Sequence, residues 1–271
     1  MKTKIFPFAI TLITVGLCLL TFSMFGQSKE FTVPLSDPSK RCRIEATVNF
    51  GSIKIKGTSR KDVLVRYSAE EGESEGAKTK NGLRKIGSGG LELEVSEHLN
   101  TLSVKSSSWA SQLRIEIEVP AGADIRAKAH NDGDIIISDI QGESELTNHN
   151  GSITATNISG SVIATTYNGE VSVSFAKVKE NTPMSFTTYN GDVDVSFPSS
   201  VKTTLKMKTQ HGDIYSDFDV AFKNTGPVEK KDSQAGVYKV VIDEWKRGDI
   251  NGGGPEMTLR NYNGDIYIRK K

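Results

Sequence analysis

The chain is poor in several things, and each shortage excludes something. It has two cysteines. Cys18 lies in the apolar N-terminal run, so if that run is removed Cys42 stands alone and no internal disulfide can form. It has little excess charge of either sign: the segment read below as cleaved carries Lys2 and Lys4 and no acid, and without it 32 bases face 33 acids, a net charge of −1. That balance argues against a nucleic-acid partner and against a polybasic membrane surface. Aromatic residues are few, at 7%. No amphipathic helical period, phosphate-cradling glycine loop or nucleophile elbow is found.

One long apolar run is present, over residues 5–25, after Lys2 and Lys4 and before Gly26, Gln27 and Ser28. It reads as a secretory signal peptide over 1–27, cut near Gly26 or Gln27. An uncut anchor is the alternative, since the run is about long enough to span a bilayer. A lipid anchor on Cys18 is disfavoured by the bulky Leu17 before it. The expected location is therefore exported: periplasm, cell surface or secreted, with no membrane insertion beyond that segment.

Glycine is plentiful, and its spacing is regular. Gly133, Gly142, Gly151, Gly160 and Gly169 follow at intervals of nine, each leading into alternating apolar residues such as Ser152-Ile153-Thr154-Ala155 and Glu170-Val171-Ser172-Val173. Period-two alternation marks strands with one buried face. A longer unit of roughly 18 to 22 residues carries the motif His149-Asn150-Gly151-Ser152-Ile153, then Tyr167-Asn168-Gly169-Glu170-Val171 and Tyr189-Asn190-Gly191-Asp192-Val193. Gln210-His211-Gly212-Asp213-Ile214 and Tyr262-Asn263-Gly264-Asp265-Ile266 continue it. The chain is thus expected to be all-β, a right-handed parallel β-solenoid or β-helix-like stack of these units. Asn-Gly between alternating runs is also a hairpin signal, so an antiparallel meander or sandwich is the alternative. The solenoid is preferred because only stacking gives the same triplet a reason to recur at every second turn. Coils about 4.8 Å apart would align Asn150, Asn168, Asn190 and Asn263 as a ladder over Gly151, Gly169, Gly191, Gly212 and Gly264, with the glycines supplying positive φ. His149, Tyr167 and Tyr189 would stack beside it.

Residues 28–271 are read as one β-repeat domain: an irregular N-terminal part over 28–118 with a flexible insert at 70–90, regular repeats over 119–216, and a C-terminal insert and cap over 217–271. The cap is expected from residues 236–254, with Val237, Val240, Ile242 and Trp245, and the last Tyr-Asn-Gly-Asp copy is expected to complete the final strand.

Serial Asn-Gly-Asp-Ile/Val units, the Val119-Pro120-Ala121-Gly122 lead-in and the closing Gly252-Gly253-Gly254-Pro255 and Tyr262-Asn263-Gly264-Asp265-Ile266-Tyr267-Ile268 resemble a bacterial β-strand-repeat family labelled "putative adhesin", a domain of unknown function. The resemblance covers roughly 43–271 and is strongest from 119 onward. It implies export and a right-handed β-helix-like fold, and brings no catalytic residues.

Five groups of residues are candidates for chemistry. Asp134, Glu170, Asp192 and Asp213 share one repeat position, with Ser152 between; calcium would relieve their repulsion, but backbone N–H bonds at each acid's own corner are preferred. Asp192 with Asp194, and Asp217 with Asp219, share a face as paired carboxylates of a polysaccharide hydrolase would, yet none sits where its pKa would rise. Among His98, His130, His149 and His211, stacking of His130 on His149 is preferred over zinc, for want of a third ligand. Cys42 reads as a buried inert thiol. Tyr167, Tyr189, Tyr215, Tyr262 and Tyr267 are either an exposed strip for carbohydrate or protein, or simply cover for the sheet. No catalytic, metal-binding or cofactor-binding residue is assigned and no cofactor is expected. The functional expectation is a non-catalytic adhesive or scaffolding envelope module that binds a glycan or an envelope protein. The alternatives are a self-associating structural protein and a cryptic polysaccharide-active enzyme.

Overall fold

A computed structural model describes residues 28–70, 92–109, 111–179, 181–223 and 245–271, with strand backbone also at Thr79–Lys80, Leu83–Arg84, Val228–Asp232 and Lys239–Asp243. Residues 1–27, expected as a signal peptide, and most of the insert expected at 70–90 lie outside the described residues, as does Val237.

The described residues form strands and turns only. Eight coils stack in parallel, each giving one strand to either side of a shared interior. Sheet 1 takes the first strand of every coil and sheet 2 the second. The row Ile53, Ile135, Ile153, Val171, Val193, Ile266 and Ile214 runs in register across sheet 2, every neighbouring pair parallel. The antiparallel meander is thereby excluded for the coils. The nine-residue glycine interval is half a coil, because each coil turns two corners. Gly133, Gly151 and Gly169 lie at one corner, Gly142 and Gly160 at the other.

Alternation decides which side chains face in. Ile153, Ala155, Val171 and Val173 are buried while Thr154 and Ser172 between them are not. Inner volumes vary along sheet 1, where Ala127, Leu146, Ala164, Phe186 and Leu259 succeed one another. The interior is filled at its middle by Phe175 stacked on Phe197 at 5.5 Å, with Phe186 edge-on at 6.2 Å.

Spatial order departs from chain order at both ends. Coil 1 is Thr101–Ser106 with Gln112–Pro120, and coil 2 is the long strand Arg43–Thr58, which crosses from sheet 1 to sheet 2. Coil 2 lies between coil 1 and coil 3, the latter formed by Asp124–Asn131 and Ile135–Ser138. Coils 4, 5 and 6 follow in sequence: Ser144–Asn148 with Ile153–Ile158, Val162–Thr165 with Val171–Phe175, and Met184–Thr187 with Val193–Phe197. The chain then skips a place to build coil 8, Thr203–Lys208 with Ile214–Ser216. It returns with Glu256–Arg260 and Ile266–Lys270 as coil 7, pairing with coil 6 on one side and coil 8 on the other. The last Tyr-Asn-Gly-Asp copy therefore does not close the stack.

Antiparallel strands finish the ends. Glu94–His98 pairs with coil 1 in sheet 1, while Val63–Glu70 and then Lys29–Val33 extend sheet 2. At the other end Lys246–Ile250 and Ala221–Lys223 extend sheet 1 beyond coil 8. Reversing direction and shortening the edge both discourage further templating. Trp245, expected in the cap, lies outside the core with the Lys206 ammonium 4.6 Å from its ring centroid.

Candidate functional site

The corner between the two strands of a coil repeats a five-residue unit, and every position stacks on its counterpart. The first position is Asn or Thr, buried in four of the five copies: Thr166 and Thr188 donate their hydroxyls to the Gly151 and Gly169 carbonyls at 2.8 Å, and Asn261 donates to the Gly191 carbonyl at 2.6 Å. The third position is the asparagine. Asn150 donates to Asn131 at 2.6 Å, and Asn168 to Asn150, Asn190 to Asn168 and Asn263 to Asn190 at 2.7 Å each. The fourth is glycine. Gly169 has φ +144°, and a Cβ there would lie 2.4 Å from the Gly151 carbonyl oxygen, so the tight stacking of corners and the backbone sign both require glycine. Gly151, Gly191 and Gly264 share the positive φ. Gly212 does not; what demands glycine there is the Gly264 carbonyl oxygen, 1.9 Å from where its Cβ would be.

Three of the acids at the fifth position reach to the next coil rather than to their own corner. Asp134 accepts the Ser152 N–H, Asp192 the Asp265 N–H and Asp265 the Asp213 N–H, each at 2.8 Å. Ser152 takes the same place with its hydroxyl, accepting the Glu170 N–H at 3.2 Å. The carboxyl of Glu170 is partly shielded although the residue as a whole is exposed. That shielding, and then the charges of Asp194 and Asp192, push its pKa up. Among the described residues, no three His, Cys, Asp or Glu side chains are placed to share a metal ion. Asp194 is bound to the Arg269 guanidinium at 2.7 Å, so Asp192 and Asp194 are committed to separate partners. Asp217 accepts the Lys270 N–H at 3.2 Å and Asp219 is exposed. Cys42 is buried, which raises its thiol pKa.

The second position carries the rings. His130 and His149 stack at 4.7 Å, His149 and Tyr167 at 5.2 Å, Tyr167 and Tyr189 at 4.8 Å, and Tyr189 and Tyr262 at 4.6 Å. Trp109 closes one end edge-on at 5.2 Å, and His211, which holds the third position of its own copy, closes the other at 5.4 Å. Because ring faces are covered by ring faces, the column shows solvent its edges: phenol hydroxyls and imidazole nitrogens at coil spacing. Tyr215 and Tyr267 are not part of it. They stack on each other at 5.3 Å on the outer face of sheet 2, with the Tyr267 hydroxyl donating to Asp265 at 3.0 Å. That bond raises the Tyr267 pKa; for Tyr215 the Asp213 charge is the main cause. His98 stands apart, in the end strand Glu94–His98.

Three members of the corner escaped the sequence reading. Asn131 begins the ladder, hidden because Asp132, at φ +58°, intervenes before Gly133. The buried first position was legible, since Asn or Thr precedes the ring or its substitute in all five copies. Trp109 was not, because it belongs to coil 1.

The sequence matches the family model described as Toastrack DUF4097 over residues 83–251. No curated protein matches the chain. Among solved structures, a "putative cell adhesion protein" from Clostridium sporogenes is 12% identical over 90% of this chain and 100% of its own, with a TM-score of 0.47. A "putative adhesin" from Bacteroides fragilis is 11% identical over 90% and 97%, with a TM-score of 0.38. The family model spans well over half the chain, and the chain belongs to the Toastrack DUF4097 family.

Proposed function

We propose that this Toastrack member is an exported, non-catalytic binding module of the cell envelope, and that its working surface is the ringed corner. One observation carries the reading: the exposed column from Trp109 to His211, in which covered faces leave a straight row of polar ring edges. A row of equivalent donors and acceptors suits a partner that is itself repetitive or extended, such as an envelope glycan or a protein strand. Export is supported by the residue pattern over 1–27. The absence of catalysis is supported by Asp134, Asp192 and Asp265 being used as backbone caps.

The test is binding of the chain without residues 1–27 to fractionated envelope glycans and proteins. Replacing Tyr167, Tyr189 and Tyr262 together by Phe keeps the stack and removes the hydroxyls, and is expected to weaken binding with no change in fold. No binding to any fraction, or equal binding by the triple variant, overturns the reading; release of reducing ends from a glycan overturns its non-catalytic part. A second reading, self-association, is favoured by one feature: sheet 2 ends at Ile214–Ser216 with no described strand beyond it, whereas sheet 1 is extended there. Concentration-dependent sedimentation would support it.

A further inference from the structure

The corner opposite the rings is irregular where the central corner is uniform. Three turns meet there: residues 176–179 and 181–183 between coils 5 and 6, residues 198–202 leaving coil 6, and residues 251–255 entering coil 7. They enclose an open cleft of about 510 Å³. Its walls are tied together across the chain. The Asn251 amide donates to the Ser199 and Val201 carbonyls at 3.1 and 2.7 Å, and the buried Thr203 hydroxyl donates to the Pro255 carbonyl at 2.8 Å. Gly254 comes so close to the Lys202 carbonyl that a Cβ would lie 2.3 Å from its oxygen. The cleft is thus a product of the out-of-order threading, which brings the turn at 251–255 beside the turn at 198–202.

Its chemistry is one-sided. Lys177, Lys179 and Lys202 line it, and among the described lining residues there is no acid. Elsewhere on the coils some bases sit against acids, as Lys54 does against Glu116, Arg126 against Glu145 and Arg269 against Asp194. In the cleft only Lys179 is matched, with Glu143 at 2.8 Å, and neither Lys177 nor Lys202 has an ion-pair partner among the described residues. Pro198, Pro255 and Val178 supply apolar wall, and Asn181 and Ser200 supply hydrogen-bonding groups. The volume lies within the range of about 300–1,000 Å³ usual for small-molecule sites and is far larger than a bare oxyanion needs.

We propose that this cleft binds an anionic sugar unit of an envelope polysaccharide, its carboxylate or phosphate held between Lys177 and Lys202 and its ring against Pro198 and Pro255. Lysine presents a compact point charge on a flexible stem, which suits either anion. The site does not depend on the ringed corner, which lies on the other side of every coil.

The experiment uses the chain without residues 1–27 and four probes: digalacturonate, glucose 1-phosphate, the neutral disaccharide galactobiose, and inorganic phosphate. Titrations are followed by calorimetry and by amide resonances. Saturable binding of either anionic sugar is expected, with shifts at Lys177, Lys202 and Gly253. Lys177→Gln with Lys202→Gln is expected to weaken it about a hundredfold, roughly tenfold for each lost charge-assisted contact, at an unchanged thermal midpoint. Equal binding of galactobiose, shifts confined to the ringed corner, or an unweakened double variant overturns the proposal. Inorganic phosphate binding as tightly as both sugars also overturns it, because the site would then read a bare anion. The triple Phe variant of the corner should bind the anionic probes unchanged, so that the two surfaces fail or stand separately.

Discussion

Coils 3 to 6 and the two ends of the stack are held by the same contacts, but those contacts span very different lengths of chain. In the middle, Asn168 bonds a residue 18 positions earlier and Asn190 one 22 earlier. At the C-terminal end, Asn263 bonds Asn190 across 73 positions, and Thr209 bonds Gly264 across 55. The middle can therefore grow coil upon coil, as repeat proteins do. The ends cannot. Coil 8 has no parallel neighbour until coil 7, made of the last residues, arrives between it and coil 6. Coil 2 is likewise wedged between coils 1 and 3. Closing such long loops is slow, so completing the ends should limit the folding rate.

The largest expected effect comes from deleting residues 256–271. The deletion removes Met257, Leu259, Ile266 and Ile268, all buried. At about 1.5–3 kcal/mol per side chain they rival the roughly 5–15 kcal/mol net stability of a domain. Amides of Leu205 and Met207 in coil 8 should lose hydrogen-exchange protection while those of Ala155 and Val173 keep theirs. A peptide of residues 251–271 added in trans should restore protection. Uniform loss through all coils would show that the middle is not autonomous.

Next in size is Gly169→Ala, expected to cost more than about 3 kcal/mol in denaturant unfolding, since it combines a glycine-only backbone with a carbonyl clash. Gly122→Ala, with nothing within 4 Å of the added Cβ, should stay within about 0.5 kcal/mol. Equal costs would mean that the corner is looser than the stacking implies.

Asn168→Ala should cost about 2 kcal/mol, because it breaks one bond given and one received, against about 1 kcal/mol for Asn131→Ala at the ladder's end, where a single bond is received from Asn150. Thermal midpoints of the two variants measure the difference, and identical shifts would remove the idea of a cooperative column.

The smallest effect is a pH dependence at Glu170. Its raised pKa means that the folded state holds the proton more tightly than the unfolded chain. Stability from this group is present below the unfolded value, about pH 4.3, and declines as pH rises through the folded value. Glu170→Gln should remove that decline and leave the chain slightly more stable at neutral pH, as thermal midpoints across the range would show.

Much of the corner was legible in the sequence. Asn150, Asn168, Asn190 and Asn263 share spacing and neighbours, and the structure places all four in one hydrogen-bonded column. The rings at His149, Tyr167 and Tyr189 were readable for the same reason. Asn131 was not, because one inserted residue broke the pattern. Asp134 and Asp192 were placed correctly in the repeat but bond the next coil's N–H rather than their own corner's: a side chain that can cap either looks the same in sequence.

The repeating pattern by itself determined the inside of each coil: two alternating strands, a glycine corner and a buried face; it favoured parallel stacking of like on like over a meander, and the strand register decided it. Those features rest on interactions between residues a few positions apart or at equivalent places in neighbouring copies. Which coil stands beside which was decided only by the tertiary structure. Any in-register coil offers the same row of N–H and C=O groups, so backbone pairing alone does not choose a neighbour. The choice falls to side-chain volume in the interior and to the reach of the connecting turns. Those same connections carry the last coil back into the stack and bring Lys177 and Lys202 to one cleft.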